Sequence, residues 1–286
     1  MPRVTPGDRA ALAPGAPGIL LGLLGDDRVW RSPSPLMHQM ALESLGAMGW
    51  YVPLRAEAGD LESVIPALHR LGFLGLNVTA PLKEKVAPWL LRLDEEATAI
   101  GAVNALARSA SGYWGTNTDA RGFRDAYLAG LKPSRALVLG AGGAARAVLH
   151  ALLGAGFAPA LAARDPAQAA ALAARFQVPT LPWRELAEEF PLIVNATGAS
   201  SPAEVGASPP LPALAPQGLM VDVNYGRPDN YWEKIARDAR ASFRDGLAML
   251  AAQARYSFIL WTQADEVSLT PFQKALALYS RSPSRK

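Results

Sequence analysis

The stretch "LVLGAGGAARAVL", residues 137–149, constrains the fold more than any other part of the chain. An apolar run of strand length ends at Gly140, and a helix-like run begins a few residues later. Gly140, Gly142 and Ala145 form a G-x-G-x-x-A pattern between them. Glycine at the first position permits a tight turn, and at the second it lets backbone approach a pyrophosphate. A small third residue lets helix and strand pack closely. The helix N-terminus then offers unbonded N–H groups and a partial positive charge to phosphate. This strand–turn–helix context predicts a Rossmann-like nucleotide-binding domain. At the end of the next strand stand Arg164 and Asp165. An arginine there accommodates a 2′-phosphate, whereas an acidic residue hydrogen-bonds a ribose 2′-hydroxyl. Asp165 precedes Pro166, the arrangement of a helix N-cap followed by proline at the first helical position. NADP is therefore favoured, with NAD as the weaker alternative.

The rest of the chain alternates in the same way. "ILLGLLG", "WYVPLRA" and "LGLNVT" read as strands, and "PLMHQMALESLG" and "LESVIPALHRLG" as helices. "LKEKVAPWLLRL" has the look of a further helix, and "AVNALAR" and "GYWGTN" flank a turn at Ser111–Gly112. A second series follows residue 119, with strands "RALVLG", "APALAAR", "PLIVNAT" and "LMVDVNY" and helices "AARAVLHALLGAG" and "PAQAAALAARF". Such alternation predicts an α/β protein with largely parallel sheets covered by helices. Residues 199–218, rich in Pro and Gly, read as a long surface loop, and the last 40 or so as mostly helical. The predicted organisation is a flexible tail over 1–17, an N-terminal mostly parallel α/β substrate domain over 18–118 completed by 244–286, and a Rossmann-like NADP domain over 119–243.

Composition excludes several classes of function. Cysteine is absent, which removes disulfide scaffolds, thiolate metal sites and thiol catalysis. The three histidines, His38, His69 and His150, are scattered, and no metal is expected. A net charge of +3 over 286 residues, without dense basic runs, gives no nucleic-acid track. No apolar run approaches the roughly 20 residues of a membrane span. "ILLGLLG" is short and is followed by Asp26 and Asp27 rather than a cleavage site, so a cytoplasmic protein is expected.

Polar residues stand out where apolar runs end. In "LGLNVTAPLKEKV", Asn77, Thr79 and Lys83 crowd around Pro81. Ser32 and Ser34 sit in "SPSP", Asn104 in "GAVNA", Asp119 in "GTNTDARGF", and Gln253 on an otherwise apolar helix. Singly, each has a local reading as a cap, a turn residue or a satisfied core amide. In this order, they resemble the motif series of the shikimate dehydrogenase family. The resemblance takes in S-x-S-P (Ser32–Pro35), N-V-T-x-P-x-K (Asn77–Lys83), G-A-V-N (Gly101–Asn104) and N-T-D-x-x-G-F (Asn117–Phe123). It continues through G-x-G-G-x-x-R (Gly140–Arg146), N-A-T (Asn195–Thr197), D-x-x-Y (Asp222–Tyr225) and M-L-x-x-Q-x-x-x-x-F-x-x-W (Met249–Trp261).

That resemblance implies reversible NADPH-dependent reduction of 3-dehydroshikimate to shikimate, in a cleft between two domains, by a monomer or homodimer. It implies Lys83 and Asp119 as the catalytic pair. Ser32 and Ser34 match carboxylate binders, and Asn77, Thr79, Asn104, Tyr225 and Gln253 further substrate residues. For the cofactor it implies Gly140, Ala141, Gly142, Gly143, Ala144, Arg164, Asn195, Ala196, Thr197, Gly246 and Met249. Four features depart from the family pattern: "GDDRVWRS" before Ser32 lacks the usual Pro and His and is one residue longer, Ala163-Arg164-Asp165 stands where N-R-T is usual, "GRPDN" after Tyr225 is shifted, and "WTQ" replaces W-T-G. The rival readings are an NAD-linked quinate/shikimate dehydrogenase and a non-catalytic nucleotide-binding regulator.

Overall fold

Strands β1 (Ile19–Gly25), β2 (Gly49–Arg55) and β3 (Gly75–Val78) lie side by side and parallel, with β1 in the middle. The computed structural model describes residues 18–183, 188–206 and 213–281; the expected tail over 1–17 lies outside them. All but one residue of β1 are buried, as a parallel strand covered on both faces requires. Helices α1 (Ser34–Ser44) and α2 (Leu61–Arg70) connect these strands. Beyond β3 come β4 (Arg92–Leu93), α3 (Glu95–Ile100), β5 (Ala105–Ser109) and β6 (Gly112–Thr116). Here β5 pairs antiparallel with β3 and with β6, while β4 is parallel to β6. The six-stranded order is β2-β1-β3-β5-β6-β4, so this sheet is mixed, with three of its five pairings parallel.

The expected helix over 82–93 does not form. Residues 82–86 turn, a 3₁₀ turn covers Ala87–Trp89, and β4 follows. Pro88 brings no N–H and disfavours helical geometry at Ala87. The carbonyl of Lys83 is taken by Val103 N at 2.8 Å instead of by its own turn. Tertiary pairing overrides a weak helical pattern. The short α3 is sharply bounded, by Asp94 accepting from Ala97 N at 2.8 Å and by Gly101 in the left-handed region.

From Asp119 the chain builds a second sheet. The elements are α4 (Asp119–Phe123), β7 (Arg135–Leu139), α5 (Gly143–Gly154), β8 (Ala158–Ala162), α6 (Pro166–Phe176), β9 (Glu189–Asn195), α7 (Pro202–Val205), β10 (Ala213–Asp222), α8 (Tyr231–Asp238) and β11 (Ser242–Arg244). All pairings are parallel, in the order β11-β10-β9-β7-β8. The chain progresses from β7 to β8 on one side, then returns to the other side of β7 with β9. The expected loop over 199–218, of which 207–212 lie outside the described residues, is in its described parts more structured than its composition implied. A capping box between Ser201 and Glu204 opens α7, and β10 already begins at Ala213.

Helices α9 (Leu247–Thr262) and α10 (Thr270–Arg281) end the described chain. Two compact units result: one takes the chain to Thr118 and resumes at Ala251, and the other is Asp119–Leu250. In the first, α9 is fastened to the sheet by Trp261, whose Nε1 donates to Leu106 O at 2.8 Å. The indole lies where Gly75 has no side chain; a Cβ there would come within 2.1 Å of it. The cores are separate apolar clusters, with Leu24, Leu76 and Leu106 in one and Leu137, Ile193 and Trp232 in the other.

Candidate functional site

In an open α/β sheet, ligands bind outside the carboxyl ends of the strands where the strand order reverses. In the first unit that point lies between β1 and β3. The loop after β1 carries Ser32 and Ser34, whose hydroxyls are 3.1 Å apart. Ser34 N also donates to Ser32 Oγ at 3.2 Å, so Ser32 helps cap α1 while staying beside Ser34. After β3, Thr79 N donates to Leu24 O at 2.9 Å, and the cis Ala80–Pro81 bond leads to half-buried Lys83. The Lys83–Val103 backbone bond sets this turn against the segment that holds Asn104.

Buried amides and hydroxyls link several of the predicted residues. Tyr51 Oη donates to Asn77 Oδ1 at 2.9 Å, and Asn77 Nδ2 donates to Asn104 O (3.1 Å) and Ser257 Oγ (2.9 Å). Ser257 donates to Gln253 O, one turn earlier on α9. Thr118 N donates to Asn104 Oδ1 at 2.7 Å, which orients that amide; its Nδ2 then donates to Thr118 Oγ1 (3.0 Å) and Gln253 Oε1 (3.3 Å). Burial raises the Tyr51 phenol well above its ordinary pKa, against hydrogen bonding from Ser34, so it remains a donor. Ser32, Ser34, Asn77, Asn104 and Gln253 thus belong to one neighbourhood.

Tyr51, Thr118 and Ser257 were not singled out from sequence. Ser257 lies four residues after Gln253, on the same helical face, and that spacing was the available signal. His38 is a different kind of buried polar residue. It stacks on Tyr51 at 4.3 Å and is surrounded by Phe258, Trp261 and Phe272. Neither ring nitrogen has a hydrogen-bond partner, and burial lowers its pKa to about 3, with nearby Asn77 acting the other way. It is a neutral member of an aromatic core.

In the second unit the reversal lies between β7 and β9. Gly140, with φ +110°, ends β7 directly against the loop after β9: a Cβ on it would lie 2.9 Å from the carbonyl carbon of Ala196 and 3.0 Å from Thr197 N. Gly142 is the N-cap of α5 and supplies no side-chain cap, so the first-turn N–H groups of Gly143 and Ala144 have no acceptor from it. Gly140 N donates to Ala162 O, which ties the turn to the end of β8, two residues before exposed Arg164. Asp165 is turned into the cap of α6, accepting from Ala167 N at 2.9 Å and Gln168 N at 3.2 Å. A bare backbone cradle, an uncapped helix N-terminus and an adjacent exposed arginine fit a dinucleotide with a 2′-phosphate.

Further along the same sheet, Asn195 Oδ1 accepts from Thr197 N and Oγ1. Gly246 N donates to Asn224 O, beside Tyr225, and Met249 N meets Tyr127 Oη at 3.3 Å. Asp119 is buried at the start of α4, the residue after Thr118. Among the described residues no group of three His, Cys, Asp or Glu is arranged to hold a metal, and no helix is long and apolar enough to cross a membrane.

A backbone cradle for a dinucleotide in one unit and a side-chain site for a small polar molecule in the other define the class of dinucleotide-dependent dehydrogenases. A profile of the shikimate dehydrogenase substrate binding domain matches residues 24–106. A shikimate dehydrogenase (NADP(+)) of Thermus thermophilus is 44% identical over 247 residues, covering 82% of this chain and 89% of its own. The crystal structure of shikimate 5-dehydrogenase from that organism, in complex with NADP(H) and shikimate, superposes with a TM-score of 0.80 at 35% identity, covering 91% of this chain and 99% of that one. Quinate dehydrogenase from Corynebacterium glutamicum, in complex with NAD, gives 0.79 at 30% identity, with 91% and 99% covered. The chain belongs to the shikimate dehydrogenase family.

Proposed function

We propose that this protein catalyses the reversible NADPH-dependent reduction of 3-dehydroshikimate to shikimate. The observation that carries the reading is the pairing of two features in one chain: the Gly140 cradle beside Arg164, and the Asn104–Gln253 amide pair near Lys83. When bound, the reduced nicotinamide supplies the hydride. Hydride arriving at a carbonyl carbon leaves negative charge on its oxygen. Lys83 donates a proton to that oxygen as its ammonium, and in the reverse direction takes the hydroxyl proton as its amine. Asp119 is the second member of the catalytic pair. Ser32 and Ser34 donate to the substrate carboxylate, and Asn104 and Gln253, each held by its neighbours, discriminate hydroxyl positions on the ring, with Thr79 and Tyr225 completing the substrate contacts. Asn77 serves the same site by orienting Asn104, since its amide already bonds Tyr51, Asn104 O and Ser257.

The cofactor is held by the backbone of 140–144, by Arg164 on its 2′-phosphate, and by the 195–197 loop with Gly246 and Met249. Asp165, engaged as a helix cap, does not compete for that phosphate. The NAD-linked quinate reading loses its main motive with that cap. The enzyme works in the cytoplasm, as a monomer or homodimer. Following nicotinamide absorbance with shikimate or quinate, each with NADP⁺ or NAD⁺, tests the assignment. Fast reduction with shikimate and NADP⁺ alone is expected; comparable rates with quinate and NAD⁺ overturn it.

A further inference from the structure

Asp222, at the carboxyl end of β10, is wholly buried and stands opposite Asn195 in the β9–β10 register. Among the described residues, its carboxylate accepts from N–H groups of three asparagines. Asn195 Nδ2 (2.8 Å), Asn224 N (3.1 Å) and Asn224 Nδ2 (2.9 Å) reach Oδ1, and Asn230 Nδ2 (2.7 Å) reaches Oδ2. A carboxylate has no proton to give and about four acceptor sites, so it can face four donors at once; no neutral side chain of that size can.

Each bond to Asp222 decides which way an amide points. With its Nδ2 spent on Asp222 and Ala199 O, Asn195 turns Oδ1 to Thr197, accepting from N at 3.1 Å and Oγ1 at 2.7 Å. Asn224 Nδ2 also donates to Thr197 O at 2.8 Å. Thr197 is therefore fixed at three atoms by two amides that Asp222 orients. Its N is, with the Ala196 carbonyl, one of the backbone atoms that a side chain on Gly140 would strike. Asn230, oriented by the other oxygen, turns Oδ1 to Trp232 N and Glu233 N and caps α8.

We infer that Asp222 is a positioning residue for the dinucleotide: through Asn195 and Asn224 it holds the Ala196–Thr197 backbone at the glycine cradle. This rests on the nucleotide-binding part of the proposed function. Asp222→Ala removes both oxygens, so the amides of Asn195 and Asn224 lose the acceptor that sets their direction. Re-ordering the Ala196–Thr197 loop on binding, at the worth of about one or two hydrogen bonds, weakens affinity by about tenfold to a hundredfold.

The test compares full-length wild type with Asp222→Ala, Asn224→Ala and Asn230→Ala. NADPH affinity is read by fluorescence titration, KM for NADP⁺ and for shikimate by steady-state kinetics, and Tm by melting. Asp222→Ala should weaken NADPH binding by about tenfold to a hundredfold while KM for shikimate at saturating NADP⁺ stays within about twofold. Asn224→Ala, whose amide is only half-buried, should fold even if Asp222→Ala does not, and should show a smaller shift of the same kind. Asn230→Ala should lower Tm and leave NADPH affinity unchanged. Wild-type NADPH affinity in Asp222→Ala or in Asn224→Ala, with only Tm reduced, would overturn the inference. Wild type that binds NADPH but oxidises no shikimate would overturn the reaction assignment instead, while the NADPH titrations would still decide the role of Asp222.

Discussion

The two units build their proposed sites by opposite means. The first is built from side chains: Ser34, Asn104 and Gln253 are held among hydroxyls and amides that bond one another. The second works with backbone: Gly140 and Gly142 withhold side chains so that the turn and the α5 N-terminus are open, while one carboxylate braces the neighbouring loop. A side-chain site reads the positions of individual hydroxyls, because a misplaced amide leaves a buried donor unpaired. In the proposed function the backbone cradle takes phosphate, and Arg164 at its edge supplies the discrimination. Truncated amides should therefore damage the first site, and atoms added at the cradle glycines the second.

The largest departure from that symmetry is Lys83, whose proposed part is chemistry rather than binding. Lys83→Ala should lower kcat by about 10²–10⁴-fold, the usual contribution of a positioned proton donor, with NADPH affinity unchanged. Turnover within a few-fold of wild type would remove Lys83 from the mechanism.

A smaller effect separates the cores. His38 makes the first unit acid-sensitive. Its folded-state pKa of about 3 lies below the ordinary value near 6.5, so the folded protein refuses a proton that the unfolded chain accepts. Its stabilising contribution is complete above pH ~6.5 and is lost as pH falls from there toward 3. Between pH 7 and 5 this amounts to about 2 kcal/mol by linkage, so the urea midpoint of His38→Phe should fall less over that range than the wild-type midpoint. Parallel pH dependences would show that His38 is not the group responsible.

Arg164→Ala is the mildest change. It should raise KM for NADP⁺ about tenfold, the worth of one exposed charge-assisted contact, and leave KM for NAD⁺ nearly unchanged. Equal changes would place Arg164 away from the 2′-phosphate.

The same contrast explains what could be read from the chain. Gly140 and Gly142 announce themselves, because a phosphate cradle needs particular residues at fixed local spacing, and the strand and helix beside them follow from the apolar pattern. Asn104 and Gln253 are 149 residues apart, and nothing local says that they meet; only the ordered motifs bring them together. Tyr51 and Ser257 stayed hidden because a phenol in an apolar strand and a serine on an apolar helix look like ordinary core residues. Asp222 lay inside a recognised motif, but its role depends on the β9–β10 register, which no periodicity encodes. The stretch 82–93 misled because helical spacing competed with Pro88 and with a backbone bond to Val103, a partner far along the chain. In 199–218, Pro and Gly suggested a loop, yet Ser201 and Glu204 make a capping box around a short helix.

The most direct test of the division of labour is an NADPH titration of Asn104→Ala beside Gly140→Ala, with KM for shikimate measured on both. Asn104→Ala should bind NADPH as wild type does while its KM for shikimate rises. Gly140→Ala, with a Cβ driven against the Ala196 backbone, should lose most NADPH affinity. Wild-type NADPH binding by Gly140→Ala, or weakened NADPH binding by Asn104→Ala, would contradict the assignment of substrate to side chains and cofactor to backbone.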